Sequence, residues 1–402
     1  MQEIIKDLVL KNNTKIFLIV LDGLGGLPIE GRTELETART PNLDALARAS
    51  ATGLHMPVSY GITPGSGPGH LGIFGYDPLR WQIGRGVLEA LGLGVELRNT
   101  DVAVRCNYAT VQEGLIKDRR AGRIATEKGR RLTERLQKEI SRIDEAEIIF
   151  THGMEYRFAV VFRFPEPLDE GSAEVNDTDP QKTGKPPLRP VPSNHQSERV
   201  ARIAEKLVER AKEILKDEDA ANFILLRGIA QVPSIPAFEE VFGLKALAIA
   251  IYPMYRGLAR LIGMDTPPVN GDIREEIEFM RDNLQDYDFF FVHVKKVDSY
   301  GEDGDFEGKA GKIEEFDAFL PDIRGLNPDV LIITGDHSTP SVMKSHSWHP
   351  VPLLIHSPYV LGGLSQAFTE RECLKGELGI LPAVNIIPLA LANSGRLKKF
   401  GA

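Results

Sequence analysis

Six short apolar runs constrain the fold more than any other feature of the chain: residues 15–21, 223–228, 246–251, 289–294, 330–334 and 351–355. Each has the length of a strand and is apolar almost throughout, and helical stretches such as 255–263 and 273–283 lie between several of them. Strands covered on both faces read this way, so the pattern is that of a mainly parallel sheet flanked by helices. In the middle of the chain the character changes. Residues 102–111 and 156–164 alternate apolar with polar, as half-buried antiparallel strands do, and a Pro-, Gly- and Asp-rich stretch at 165–193 is long enough to be a lid or binding segment. A helical pattern follows at 198–216. The order implies an α/β core of residues 1–100 and 221–402, interrupted by an inserted α+β cap at 101–220.

A chain of 402 residues, 42% of them hydrophobic, can bury a core of that size. Its net charge of -9 argues against nucleic acid and anionic membranes as partners, so an anionic small-molecule substrate has to be met by local arginines. No run approaches the roughly 20 apolar residues of a membrane-spanning helix. Cys106 and Cys373 are far apart, which speaks against a disulfide framework or a thiolate metal site and fits a reducing cytoplasm. A homo-oligomer is compatible with all of this.

Chemistry-bearing residues recur at the ends of the apolar runs. The first run delivers Asp22 to the carboxyl edge of its strand, where an open α/β sheet places its ligands. Residues 61–70 set four glycines and two prolines around Ser66, which is turn chemistry and lets backbone N–H groups approach an anion closely. Later runs lead to Asp298 and Glu302, to Asp336 and His337, and the last is preceded by His346 and His349. Carboxylates mixed with imidazoles suit Mn²⁺, Zn²⁺ or Mg²⁺. Each piece alone also reads as something plainer: Asp22 as a turn cap, the Asp-His pair as a hydrogen-bonded loop, 298–305 as a solvated acidic turn, His70 as a satisfied loop histidine.

As an ordered series the pieces are specific. Asp22-Gly23, the run Thr63-Pro64-Gly65-Ser66-Gly67-Pro68-Gly69-His70, Asp298 with Glu302, Gly335-Asp336-His337-Ser338-Thr339-Pro340 and His346 together resemble the 2,3-bisphosphoglycerate-independent phosphoglycerate mutases of archaeal type, in the alkaline phosphatase superfamily. The likeness runs through nearly the whole chain, including 84–86, 118–124, 177–180 and 226–228. It implies an alkaline-phosphatase-like α/β fold and interconversion of 3-phosphoglycerate and 2-phosphoglycerate in glycolysis and gluconeogenesis, through a phosphoserine at Ser66. Two divalent metal ions are implied, manganese first, with magnesium, cobalt or zinc as alternatives, and no 2,3-bisphosphoglycerate. Asp22, Ser66, Asp336 and His337 match one metal site; Asp298 and His346 match the other. Glu302 stands where the family pattern has histidine, and it is expected to ligate the same hard metals. His349 competes with His346 as the ligand. Arg119, Arg120 and Arg123 from the cap, with Arg227 and Arg256 from the core, are expected to grip the substrate's carboxylate and phosphate. The alternatives are a metal-dependent phosphomonoesterase, another phosphomutase on the same core, or a non-catalytic relative with a decayed site.

Overall fold

The computed structural model describes residues 2–269 and 271–401. They form two compact units, divided at 82/83 and 234/235: the described residues up to Gln82 with those from Ile235 onwards, and Ile83–Ser234. The expected α/β class with a mainly parallel sheet is what the first unit shows. Its seven-stranded sheet has the order Gly379–Pro382, Ala51–Met56, Val351–His356, Val330–Thr334, Ile16–Leu21, Phe289–Val294, Ala246–Ala250. Ile16–Leu21 lies between Phe289–Val294 and Val330–Thr334, parallel to both, and every one of its residues is buried. Among the described strands of this sheet, Val351–His356 alone runs against its neighbours. That reversal matters for the site, because the residues leading into Val351–His356 arrive at the edge where the parallel strands end.

Helices supply the cover. Pro41–Arg48 starts with proline at its first position, as expected, but Thr40 makes no capping bond through its side chain. The free amides are taken up from a distance instead, Asp317 accepting from Leu43 at 2.7 Å and from Asn42 at 3.3 Å. Phe306–Gly325, which carries Asp317, also buries Lys309, whose ammonium donates to the carbonyls of Gly25 (3.0 Å) and Thr339 (2.8 Å) and lies 4.0 Å from Glu34. One buried cation thereby holds together the two loops that follow Ile16–Leu21 and Val330–Thr334. Lys309→Met leaves Glu34 and both carbonyls without it, and is expected to cost about 3–5 kcal/mol of stability. Urea denaturation measures this; a loss under about 1 kcal/mol would contradict the bracing role.

The second unit is built on antiparallel pairing. Asp101–Gln112 pairs with Leu115–Asp118, Arg157–Arg163 and Phe223–Gln231, and Ala146–His152 continues the sheet. The division of the chain falls at 82/83 and 234/235, where the sequence placed it at 100/101 and 220/221. The difference is carried by two elements, helix Arg85–Gly92 and strand Phe223–Gln231, which lie against Asp101–Gln112. An apolar run reads alike in a parallel strand and in an antiparallel strand covered on both faces, so 223–228, expected in the parallel core sheet, pairs instead with Asp101–Gln112. Arg157–Arg163 shows the same effect: it is buried along its middle five residues, not on one face alone, because helix Arg85–Gly92 covers it as well. Gly86 permits that approach, since a Cβ there would stand 2.1 Å from the Ala103 carbonyl. The stretch 165–193 is a strap of loop, not a free segment. Thr178 exchanges two bonds with Leu226 (2.9 and 2.8 Å), and Asp177 accepts from Gly228 at 2.7 Å.

Candidate active site

Asp22 is the residue immediately after a strand buried between two parallel neighbours, and its own amide still bonds Val294 at 3.0 Å. The carboxylate is therefore fixed at the sheet edge, fully buried. Its two oxygens have different company. Oδ2 accepts from the Tyr255 hydroxyl at 2.7 Å and lies 3.0 Å from Lys295 Nζ and 3.4 Å from His293 Nε2. Oδ1 has no hydrogen-bond partner and lies 3.3 Å from His337 Nε2. Gly23 keeps this corner tight: it has φ +66°, and a Cβ would meet Thr339 Oγ1 at 2.7 Å and Asp298 Oδ1 at 2.8 Å.

Asp336 and His337 leave the next strand and are both fully buried. His337 Nε2 lies 3.2 Å from Asp336 Oδ2 and has no hydrogen-bond partner. The other ring nitrogen is settled by Thr339, whose hydroxyl donates to Asp298 Oδ1 at 2.8 Å and is therefore left to accept from His337 Nδ1 at 3.0 Å. With its proton on Nδ1, the imidazole turns a free lone pair on Nε2 towards the two carboxylates, as a metal-binding histidine requires.

Asp298 and Glu302 sit four residues apart on helix Lys296–Asp303, so they share a face. A solvated acidic turn is not what forms here: Asp298 is buried, Glu302 exposed, and Gly301 lets the helix close on the loop, since a Cβ there would meet the Thr339 carbonyl at 2.4 Å. His346 brings Nε2 to 3.7 Å from Asp298 Oδ1 and 3.6 Å from Glu302 Oε1, and its ring stacks on His337 with centroids 3.6 Å apart. It reaches this edge because it precedes the one reversed strand. His349 bonds the Ser347 hydroxyl at 3.1 Å and belongs to neither donor group. Among the described residues the donors fall into two triads, Asp22, Asp336, His337 and Asp298, His337, His346, each with its ligand atoms within 4.8 Å of one another.

Ser66 opens helix Ser66–Ile73, a departure from the turn expected over residues 61–70. Pro68 falls in the first turn, where its missing N–H costs nothing, and the glycines serve close packing. A Cβ on Gly69 would stand 2.5 Å from the Asp336 carbonyl. The helix start is tied to the donors, His346 Nδ1 lying 3.0 Å from the Pro64 carbonyl and the Tyr255 hydroxyl within hydrogen-bond reach of the Ser66 side chain. His70 is a satisfied histidine on one side only: Nδ1 meets the Ser66 carbonyl at 2.8 Å and Asp336 Oδ2 at 3.1 Å, while Nε2 is buried without a partner.

The electrostatics are those of a cation site. Burial and the neighbouring charge of Asp22 push the Asp336 carboxyl up to about 6, against the pull of His70. Burial also tends to raise Asp22, but His293, His337 and Lys295 outweigh it and hold that carboxyl well below its ordinary range. Burial keeps His337 neutral, its pKa far below the usual value. Burial would lower Lys295 too, yet Asp22 and Asp298 overcome it and hold the ammonium above the ordinary lysine range. Three buried polar atoms converge: Asp22 Oδ1 and His337 Nε2, which have no hydrogen bond, and Asp336 Oδ2, whose contact with His70 Nδ1 is shared with the Ser66 carbonyl. Such atoms carry a large desolvation cost unless something binds them, and a divalent cation with nitrogen and oxygen ligands is what this set fits. No motif in the sequence marks Tyr255 or His293 as site residues; Lys295 alone has a local signal, standing one helical turn before Asp298.

The arginines are less uniform than expected. Arg119 is held in a two-point pair with Asp179, 2.8 Å at Nε and 2.8 Å at Nη2. Arg227 lies 3.6 Å from Asp179 and 3.8 Å from Asp177, and its buried Nε has no hydrogen-bond partner. Arg120 and Arg123 are exposed on a turn held by Asp118, which accepts from the amides of Arg120 (2.7 Å) and Gly122 (2.9 Å). Ala121 and Arg123 have positive φ there, a strained backbone of the kind that collects at functional sites. Arg256 is half-buried on helix Pro253–Leu261 beside Tyr255.

Comparison with known proteins agrees with this chemistry. Residues 47–221 match the family model described as 2,3-bisphosphoglycerate-independent phosphoglycerate mutase. A probable 2,3-bisphosphoglycerate-independent phosphoglycerate mutase of Aquifex aeolicus is 62% identical, with 100% of both chains covered. One from Thermus thermophilus is 52% identical over 99% of each. Among solved structures, the cofactor-independent phosphoglycerate mutase of Thermoplasma acidophilum is similar at 31% identity with a TM-score of 0.79, covering 95% of this chain and 100% of that one. A protein from Pyrococcus horikoshii has 32% identity and a TM-score of 0.80, covering 97% and 99%. With likeness of this degree over its whole length, the chain belongs to the 2,3-bisphosphoglycerate-independent phosphoglycerate mutases, enzymes that interconvert 3-phosphoglycerate and 2-phosphoglycerate.

Proposed function

We propose that this mutase works through two divalent cations, held by Asp22, Ser66, Asp336 and His337 at one position and by Asp298, Glu302 and His346 at the other, with Ser66 as the nucleophile. The observation that carries the reading is the convergence of Asp22 Oδ1 and His337 Nε2, both buried without a hydrogen bond, on Asp336 Oδ2, which has only a share of His70 Nδ1 at 3.1 Å. Cations bound there would favour the Ser66 alkoxide and offset negative charge on the phosphoryl group in transfer. The rest falls to the chain. Ser66 Oγ forms a bond to phosphorus as the substrate's C–O–P bridge breaks, and the freed substrate oxygen takes up a proton. The glycerate then presents its other hydroxyl, which loses a proton, takes the phosphoryl group and releases Ser66. Ser66 lies at a helix start, so the backbone amides there favour the added negative charge. Arg119, Arg120, Arg123, Arg227 and Arg256 are proposed to hold the substrate's carboxylate and phosphate, Arg227 with its Nε turned towards Asp177 and Asp179. Manganese is the proposed metal, glycolysis and gluconeogenesis the setting, and the free thiols of Cys106 and Cys373 fit the cytoplasm.

Glu302 offers the sharpest test. It is exposed and outside both donor triads, yet it stands 3.6 Å from His346 Nε2, and partial burial together with the Asp298 charge raises its carboxyl above the ordinary value. Elemental analysis of purified enzyme is expected to show two metals per chain, Glu302→Gln to lose one of the two, and Glu302→His to recover it. Unchanged stoichiometry in the Gln variant would remove Glu302 from the coordination shell.

A further inference from the structure

Lys295 stands where the two donor groups meet. Strand register puts it there: Leu21 is paired with Val294, so Asp22 and Lys295 are the next residues on two adjoining parallel strands. Lys295 also occupies the position just before helix Lys296–Asp303, and its side chain turns along that helix to Asp298. The ammonium lies 3.0 Å from Asp22 Oδ2 and 2.5 Å from Asp298 Oδ2, with the Tyr255 ring 5.9 Å away. One fixed positive charge is thus shared by a carboxylate from each proposed metal position. It occupies the Oδ2 atom of both, while Asp22 Oδ1 is left without a partner and turned towards His337.

Two roles are open to such a cation. As a prop it would only aim the carboxylates, and its removal would loosen the metal. As a charge it repels a divalent cation on the same carboxylates and takes the place of part of that cation's work when the metal leaves. The second role follows from the arrangement, because the carboxylates have other anchors. Asp22 keeps Tyr255 and its backbone bond to Val294, and Asp298 keeps Thr339 and the helix. We infer that Lys295 is a resident counter-cation of the site, which weakens metal binding and in return stabilises the protein when metal is withdrawn. The inference rests on the metal assignment above and goes beyond it.

The test starts from loaded enzyme. Wild type and Lys295→Met are equilibrated against buffers of chelator and Mn²⁺, bound metal is read by elemental analysis, and melting is followed with metal present and withdrawn. The variant is expected to keep its metal at roughly tenfold lower free Mn²⁺ or less, equivalent to about 1.4 kcal/mol. Once chelated, it should melt below chelated wild type, so that metal raises its melting temperature by more. Lys295→Gln serves the same purpose should the Met variant fail to fold. Equal or weaker retention in the neutral variants overturns the inference and leaves Lys295 a prop. Wild type that holds no divalent metal at all overturns the metal assignment itself, and the inference with it.

Discussion

Ser66→Ala is expected to lower mutase activity by about 10⁴-fold or more while the protein folds normally, because it removes the atom proposed to carry the phosphoryl group between its two positions. The fold has little stake in that hydroxyl. Apart from the Tyr255 hydroxyl beside the Ser66 side chain, the contacts that seat the helix start are made by backbone: the Ser66 carbonyl meets His70, the Pro64 carbonyl meets His346, and Gly69 packs on Asp336. Stability should change by no more than about 1 kcal/mol. The measurement is an enolase-coupled assay without added 2,3-bisphosphoglycerate, with rapid quench and mass spectrometry of the residue 66 peptide. Wild type should carry phosphoserine during turnover and the variant none. Near-wild-type turnover by Ser66→Ala would remove Ser66 from the chemistry.

Much of this site could be read from the chain, and the parts that could not share a physical reason. Asp22, Asp298, Asp336 and His337 were legible because each follows an apolar run, and the end of a buried strand is a place that local sequence can mark. The choice between His346 and His349 was not legible. It depends on the direction of Val351–His356, and an apolar run carries no sign of whether its neighbours are parallel or antiparallel. The same blindness placed 223–228 in the wrong sheet. Tyr255 and His293 reach Asp22 by lateral contact between elements distant in sequence, with no motif around either. Lys309 is further hidden, since a lysine inside an amphipathic helix pattern reads as a solvent-facing residue until the helix is seen closing on Gly25 and Thr339. For residues 61–70 the glycines signalled close backbone approach correctly, but the neighbour approached was Asp336 across the sheet edge, which let a helix form where a turn was expected.

Removal of metal is expected to abolish mutase activity, and Mn²⁺ or Co²⁺ should restore it better than Ca²⁺. The ligand set decides the preference. His337 and His346 contribute nitrogen to the two triads, and calcium prefers six to eight oxygens in a roomier shell. Thr339 fixes His337 Nδ1, which keeps Nε2 aimed at the carboxylates, so the proposed site cannot become an oxygen cage by a simple rotation of that ring. Chelation should also destabilise the fold, because Asp22 and Asp336 are then left as buried neighbours, compensated by the Gly23 amide, His70, His293, Tyr255 and Lys295 but by no divalent charge. The destabilisation has a direction in pH. The Asp336 carboxyl is pushed up to about 6 in the folded protein, above its ordinary value, so protonating it favours the folded state. The stability that this group contributes is full below its ordinary pKa and is lost as pH rises through about 6. Metal should remove that loss, since a bound cation lowers the same pKa. The checks are a chelated sample assayed before and after each ion is added back, and melting curves at pH 5 and pH 8 with and without Mn²⁺. The gain in melting temperature on adding Mn²⁺ should be larger at pH 8. Full turnover in the chelated sample, or an equal gain at both pH values, would count against a cation bound between Asp22 and Asp336.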